Sequence, residues 1–325
     1  MSDESKLGSL RYEPLLGRID PLIRSESGIA CNIQASSKRD GLFLDPPLFT
    51  RLTADAGLSQ MAKRHLLSEV NSFGIAWLGD ALAPVDRNAK ETQPISLDKL
   101  KRIASLQLEQ PIDVDSFQGA AAIELQMVGR PFQVLANSRR SRWTPALPVE
   151  ITDFEQVAKR VELLRVLSEG KCPIGAAVAP GAVYEDLRFL IDSGFDFLTL
   201  LVDIQFGMAA GSSLRLASFE STMEQSAKAV HDSGNKTKLL VSTNLLDGVS
   251  MYRCLQLGAS AVSIDAFLAK AKPQEVAPVK DTFGSVLSPY VPAASISPMA
   301  WVGPALTRLV EELRDCAVYS GETKA

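Results

Sequence analysis

The stretch from Leu239 to Leu268, LLVSTNLLDGVSMYRCLQLGASAVSIDAFL, constrains the fold more than any other part of the chain. Leu239–Thr243 is a short apolar run with β-branched members, which is typical of a buried strand. Asp247 stands where a helix N-cap is expected, and Gly258 stands where that helix should end. Ala261–Ile264 is a second apolar run. The pattern therefore predicts the strand–helix–strand unit of a parallel sheet.

The same order of elements appears upstream. Pro173–Ala179 predicts a strand, Tyr184–Ser193 predicts a helix closed by Gly194, and Phe197–Val202 predicts a second strand of nearly continuous apolar residues. Repeated units of this kind indicate a parallel sheet with helices on both faces. Such a sheet is either an open doubly wound sheet or a closed (β/α)₈ barrel.

Weaker patterns outline the rest of the chain. We predict an irregular N-terminal arm over residues 1–50 and a single barrel over residues 51–325. Within the barrel, residues 270–298 are rich in Pro, Ala and Ser and are predicted to form a lid or flap. Further helices are predicted at Leu58–Val70, Ser96–Leu106, Thr152–Ser168, Leu214–Ser233 and Met299–Val318. Further strands are predicted at Phe73–Leu78, Ile112–Val114 and Ala120–Val128.

Composition excludes several classes of function. The net charge of −4 and the pI near 5.4 give no electrostatic reason to bind nucleic acid. The chain shows neither a signal peptide nor an apolar run long enough to span a membrane, so we expect a cytoplasmic protein. Its cysteines are widely scattered and its two histidines are far apart, which predicts reduced thiols and no metal site.

Polar residues at the predicted strand ends are candidates for a site, because a (β/α)₈ barrel keeps its site at that face. The candidates are Asp80, Asp115, Asp203, Gln205, Asn244 and Asp265. A basic cluster, Arg130 with Arg139 and Arg142, is a candidate clamp for a phosphate or carboxylate. The alternatives are helix caps for the carboxylates and a solvated loop for the arginines.

Several stretches resemble a known family. LGASAVSI, IGAAVAPG and SGFDFLTLL resemble the C-terminal half of the FMN-dependent barrel oxidoreductases, and within that group the FMN domain of glutamate synthase. Gly41–Leu52, Thr152–Arg165 and Ala305–Gly321 are similar to further segments of the same domain. The resemblance implies a (β/α)₈ barrel, FMN on its C-terminal face, and oxidoreductase activity on a small amino or oxo acid.

The chain departs from that family at its ligand contacts. Thr243-Asn244 and Asp265-Ala266 replace the Gly-Gly and Gly-Thr pairs that the resemblance places around the FMN phosphate. Asp265 puts a carboxylate beside an expected dianion, which is unfavourable at close range. Ala177 stands where the family has a lysine, and the cysteines of the family's iron–sulfur cluster have no counterpart.

Two hypotheses follow. In the first, the chain is an FMN-dependent oxidoreductase of the glutamate synthase type, without an iron–sulfur cluster. In the second, it is a flavin-free barrel, a pseudoenzyme that acts as a binding, assembly or regulatory protein. The expected partner is a small molecule or another protein, a homo-oligomer is left open, and no catalytic residue is assigned. Similarity to IMP dehydrogenase is a third reading, but the expected nucleophilic cysteine loop is missing.

Overall fold

In the computed structural model, eight parallel strands close into a barrel in chain order. The barrel strands are β3 (Leu48–Thr50), β4 (Ala76–Leu78), β5 (Arg102–Gln107), β6 (Ala122–Gln126), β7 (Ile174–Val178), β8 (Phe197–Leu201), β9 (Lys238–Ser242) and β10 (Ala261–Ser263). Strand β10 pairs back onto β3, with Val262 opposite Leu48, and this pairing completes the ring. The predicted (β/α)₈ barrel is therefore confirmed, and the open sheet is excluded.

The structure describes the chain in ten segments. These are residues 30–34, 41–51, 60–79, 101–108, 111–127, 154–178, 183–202, 219–234, 237–271 and 298–320. Most of the predicted arm and nearly all of the predicted lid lie outside them. Strand β3 occupies the last three residues of the predicted arm, and the division into domains stays a prediction.

Helices follow the strands around the barrel. They are α1 (Gln60–Ser72), α2 (Val114–Phe117), α3 (Phe154–Leu167), α4 (Val183–Asp192), α5 (Phe219–Asp232), α6 (Gly248–Gln256), α7 (Asp265–Ala271) and α8 (Pro298–Tyr319). Within the described segments, none of these helices combines the length and the apolar character needed to cross a bilayer.

The unit between Leu239 and Leu268 is built as predicted. The Asp247 carboxylate accepts a hydrogen bond from the Ser250 backbone N–H at 2.8 Å and so caps α6. Gly258 has φ of +105°, a conformation that a side chain would disfavour, and it directs the chain from α6 into β10. Local caps and apolar runs thus place two adjacent barrel strands.

Two predicted elements are wrong. The helix predicted over Ser96–Leu106 is contradicted by β5, which begins at Arg102. Arg102 donates hydrogen bonds to the carbonyls of Ser116 and Gln118, so this side chain holds the next turn beside the strand. The strand predicted at Ile112–Val114 is replaced by the start of α2, because the Asp113 side chain accepts from the Asp115 N–H and caps a helical turn.

The barrel interior and the helix layer form two separate apolar clusters. The interior cluster combines one buried residue from most barrel strands, such as Phe49 and Phe197, with residues of an antiparallel hairpin. That hairpin consists of β1 (Cys31–Gln34) and β2 (Gly41–Leu44). The inward residues that it covers lie mostly in the amino-terminal halves of their strands, so the hairpin closes the amino-terminal end of the barrel.

All four cysteines are free thiols, which confirms that prediction. Burial raises the pKa of the Cys254 thiol to about 12. This thiol therefore stays protonated at neutral pH and is a poor nucleophile.

Candidate functional site

A polar layer lies above the apolar base of the barrel interior. Side chains alternate along a strand, so the residues two positions after the inward apolar ones also face inward. In most strands this next position is polar, whereas β4 and β7 supply Leu78 and Ala177. The polar layer consists of Arg51, Ser105, Glu124, Thr199, Ser242 and Ser263. It lies toward the carboxyl ends of the strands, which we call the mouth of the barrel.

Arg51 and Glu124 form an ion pair across this layer. The Arg51 Nη1 lies 2.9 Å from the Glu124 Oε1, and the Arg51 Nη2 donates to the Gln126 Oε1 at 3.1 Å. The Gln126 amide donates to the same Glu124 oxygen at 2.7 Å, and the Thr199 hydroxyl donates to the other oxygen. Residues that follow or belong to β3, β6 and β8 are thereby joined inside the barrel.

The two partners of this pair differ in exposure. The Glu124 side chain is 0% exposed, whereas that of Arg51 is 11% exposed. A guanidinium has five N–H groups, and Glu124 and Gln126 each take one of them. The remaining N–H groups of Arg51 are therefore the charged donors that this network offers at the mouth.

Asp265, a predicted cofactor residue, lies where the barrel closes between β10 and β3. It begins α7 directly after β10, and its carboxylate accepts from the Thr50 hydroxyl at 2.6 Å. The Arg51 backbone N–H donates to both carboxylate oxygens, at 2.9 and 3.1 Å. Asp265 is buried, so the side chain links the end of β10 to the end of β3.

The other predicted cofactor residues lie beside it. Because β9 and β10 are paired, the structure brings Thr243 and Asn244 next to Asp265 and Ala266. The Thr243 backbone N–H donates to the Ser263 hydroxyl at 3.0 Å, and that hydroxyl donates to the Thr243 carbonyl at 3.2 Å. The Thr243 hydroxyl is buried and has no hydrogen-bond partner.

These residues do not fit an FMN phosphate. A phosphate needs backbone N–H groups that are free to donate, but the Thr243 N–H is bonded to Ser263 and the Arg51 N–H is bonded to Asp265. The Asp265 carboxylate also repels a dianion. The Thr243 hydroxyl, by contrast, is buried and donates to no group of the protein.

Most of the remaining predicted site residues stay untested predictions. Arg130, Arg139, Arg142, Asp203, Gln205 and Asp80 lie outside the described residues. Asp115 is exposed in the first turn of α2 and follows no strand, so its assignment to a strand end is wrong. In the described part of the chain, no group of three or more His, Cys, Asp or Glu side chains could hold a metal ion.

The sequence analysis missed Arg51, Glu124, Gln126 and Thr199. One signal was available for Glu124, since it is a lone carboxylate within the apolar stretch AAIELQMV. A charged residue at an inward position of a buried strand needs a partner inside the protein. Arg51, by contrast, follows its strand and carries no local sign that it points into the barrel.

Replacing Asp265 by alanine is expected to lower the free energy of unfolding by about 1–3 kcal/mol, because buried donors lose their acceptor. Asp265→Asn keeps one carbonyl oxygen and should lose less. Asp115→Ala removes an exposed carboxylate and should change stability by no more than about 0.5 kcal/mol. Urea denaturation of the three variants checks this, and equal losses for Asp265→Ala and Asp115→Ala would contradict it.

Comparison with solved structures identifies the same architecture. A crystal structure of mandelate oxidase with benzoyl-formic acid is 16% identical, with a TM-score of 0.52, over 92% of this chain and 80% of its own. A second, with 3,3-difluoro-2-hydroxy-3-phenylpropionic acid, is 17% identical, with a TM-score of 0.52, over 86% of this chain and 76% of its own.

A mandelate oxidase variant with a monooxide FMN adduct is 17% identical, with a TM-score of 0.49, over 86% of this chain and 76% of its own. No protein-family model and no curated protein matches the chain. At this level of identity the similarity shows the fold alone. The chain is a (β/α)₈ barrel of the kind found in mandelate oxidase, and the similarity to glutamate synthase is not shown.

Proposed function

We propose that this chain is a flavin-free barrel that binds a small organic acid at its mouth. The observation that carries the proposal is the Arg51–Glu124 pair, in which the buried partner is the anion and the accessible partner is the cation. An arginine fork recognises a carboxylate through parallel N–H donors. In this role the barrel is a binding or regulatory protein rather than a redox enzyme.

Glu124 fixes the orientation of the Arg51 guanidinium before a ligand carboxylate binds. A buried ion pair adds little to stability, because desolvation offsets the attraction between its charges. The pair does hold the guanidinium in one orientation, since Nη1 and Nη2 are bound to separate residues of β6. A ligand carboxylate would then meet a preorganised donor, which lowers the entropy lost on binding.

We expect no flavin because of the arrangement at the ends of β9 and β10. The backbone N–H groups of Thr243 and Arg51 are bonded within the protein there, and Asp265 adds a negative charge. We therefore expect freshly purified protein to be colourless and to show no binding in a titration with FMN. A flavin absorbance spectrum with stoichiometric FMN would overturn this part of the proposal.

Acid binding is tested separately by titration calorimetry with pyruvate. Pyruvamide, which has the same size and no charge, is the matched probe, and Arg51→Lys keeps the charge but removes the fork. We expect pyruvate to bind at least about tenfold more tightly than pyruvamide, and Arg51→Lys to reduce that preference. Equal affinities for the two probes would contradict a carboxylate site at Arg51.

The second candidate is an FMN-dependent oxidoreductase that acts on a small amino or oxo acid. It is favoured by the buried Thr243 hydroxyl, which has no partner and lies at the end of β9. It also agrees with the resemblance of the sequence to the FMN-dependent barrels. The FMN titration distinguishes the two candidates directly.

A further inference from the structure

A cleft between α7 and α8 lies apart from the mouth of the barrel. Its volume is about 540 Å³, and its walls include Phe267, Lys270, Trp301, Pro304 and Arg308. Lys270 belongs to the last turn of α7, at the opposite end of that helix from Asp265. Pockets of about 300–1,000 Å³ accommodate small-molecule ligands.

The described walls of the cleft carry positive charge. Lys270 and Arg308 are both exposed, and none of the described residues that line the cleft is acidic. The Arg308 Nε lies 3.6 Å from the Glu312 Oε1, one turn further along α8, but both partners are partly exposed and the contact is long. Such a surface pair is weak, so Arg308 can turn toward an anion in the cleft.

The start of α8 adds to this positive character. Ala300 and Trp301 lie in the first turn of the helix, where backbone N–H groups have no partner within the helix. That turn contains no acidic residue that would offset the positive end of the helix dipole. The amino-terminal end of α8 therefore adds positive potential to one end of the cleft wall, of which Arg308 forms the other.

The walls of the cleft also contain aromatic surface. Phe267 is buried beneath it, and the Arg308 guanidinium carbon lies 5.9 Å from the centre of the Phe267 ring. Trp301 is half-buried, so part of the indole remains open to a ligand. A planar ring can stack on an indole or on a guanidinium plane.

We propose that this cleft binds an aromatic phosphate of the mononucleotide kind. Lys270, Arg308 and the first turn of α8 bind the phosphate, and the Trp301 indole packs against the planar ring. Two cationic side chains and a partly open indole line the same cleft, and this combination is what selects this ligand class. The site is independent of the function proposed for the mouth.

The test uses the full chain and titration calorimetry with AMP, adenosine and inorganic phosphate as separate probes. We expect AMP to bind at least about tenfold more tightly than either of the other two probes, because only AMP engages both parts of the cleft. The double variant Lys270→Gln with Arg308→Gln should weaken AMP binding at least about tenfold. Trp301→Leu should weaken AMP while leaving inorganic phosphate unchanged.

Arg314→Gln is the matched control, because Arg314 is an exposed arginine of the same helix outside the cleft. This variant should bind AMP as the natural chain does. The proposal is overturned if AMP binds no more tightly than inorganic phosphate, or if Arg314→Gln weakens binding as much as the double variant. It is also overturned if pyruvate competes with AMP, since that result would place AMP at the mouth of the barrel.

Discussion

Replacing Arg51 by methionine is expected to lower the free energy of unfolding by about 3–5 kcal/mol. The substitution keeps much of the volume of the side chain but removes the positive charge. Glu124, which is fully buried, would then lose the guanidinium that lies 2.9 Å away. A buried carboxylate without a compensating charge is strongly unfavourable. The free energy of unfolding should therefore fall by far more than the loss of one hydrogen bond would cause. Urea denaturation measures the change.

Two further variants make the result specific to the pair. Arg253→Met breaks an exposed contact, 3.5 Å from Glu220, and should cost less than about 1 kcal/mol. Combining Arg51→Met with Glu124→Met should recover most of the lost stability, because an apolar pair needs no desolvation. A double variant that is less stable than Arg51→Met alone would show that Glu124 does not depend on Arg51.

Replacing Phe197 by alanine is expected to lower the free energy of unfolding by a similar amount, about 3–5 kcal/mol. The Phe197 ring is fully buried in the base of the barrel interior. It occupies the space beside Gly175 on the neighbouring strand, where an added Cβ would lie 2.2 Å from the ring. Truncation therefore leaves a cavity that the rigid ring of strands cannot close.

The close approach to Gly175 supplies the matched control. Gly175→Val alone should destabilise by about 1–3 kcal/mol, because the new side chain overlaps the Phe197 ring. Gly175→Val combined with Phe197→Ala should regain part of the loss, since the valine fills the vacated space. Additive losses in the double variant would contradict this packing. The pyruvate binding that we propose should survive Phe197→Ala in folded protein, because the polar layer is left intact.

Most of the architecture could be predicted because it is encoded locally. The Asp247 cap, the stop at Gly258 and the apolar runs around them specify each strand and helix over a few residues. The error at Ser96–Leu106 has a local cause too. Leu100, Ile103 and Leu106 recur with helical spacing, but in β5 Ile103 faces the interior and Leu106 packs against the helix layer. A strand buried on both sides can imitate the periodicity of a helix.

The candidate site could be predicted only in part, for a related reason. Thr243 and Asp265 follow β9 and β10, which are adjacent in both sequence and space, so the repeated unit brings them together. Arg51 lies 73 residues before Glu124 and 75 before Gln126. Their contact appears only when β10 returns to β3 and closes the ring. Alternation along β6 indicates that Glu124 points inward, but it does not say which residue will neutralise it.

The β1–β2 hairpin determines from which end of the barrel a small molecule could reach the interior. Ile33, Leu42 and Leu44 are essentially inaccessible and fill the amino-terminal end of the barrel. The amino-terminal end of the interior is therefore closed, and an acid bound beside Arg51, as we propose, would have to enter and leave at the mouth. A molecule held there must leave by the way it came before another can take its place. Two compounds that both reach the interior should accordingly compete, whatever their chemistry, and neither can be passed through the barrel to the opposite side.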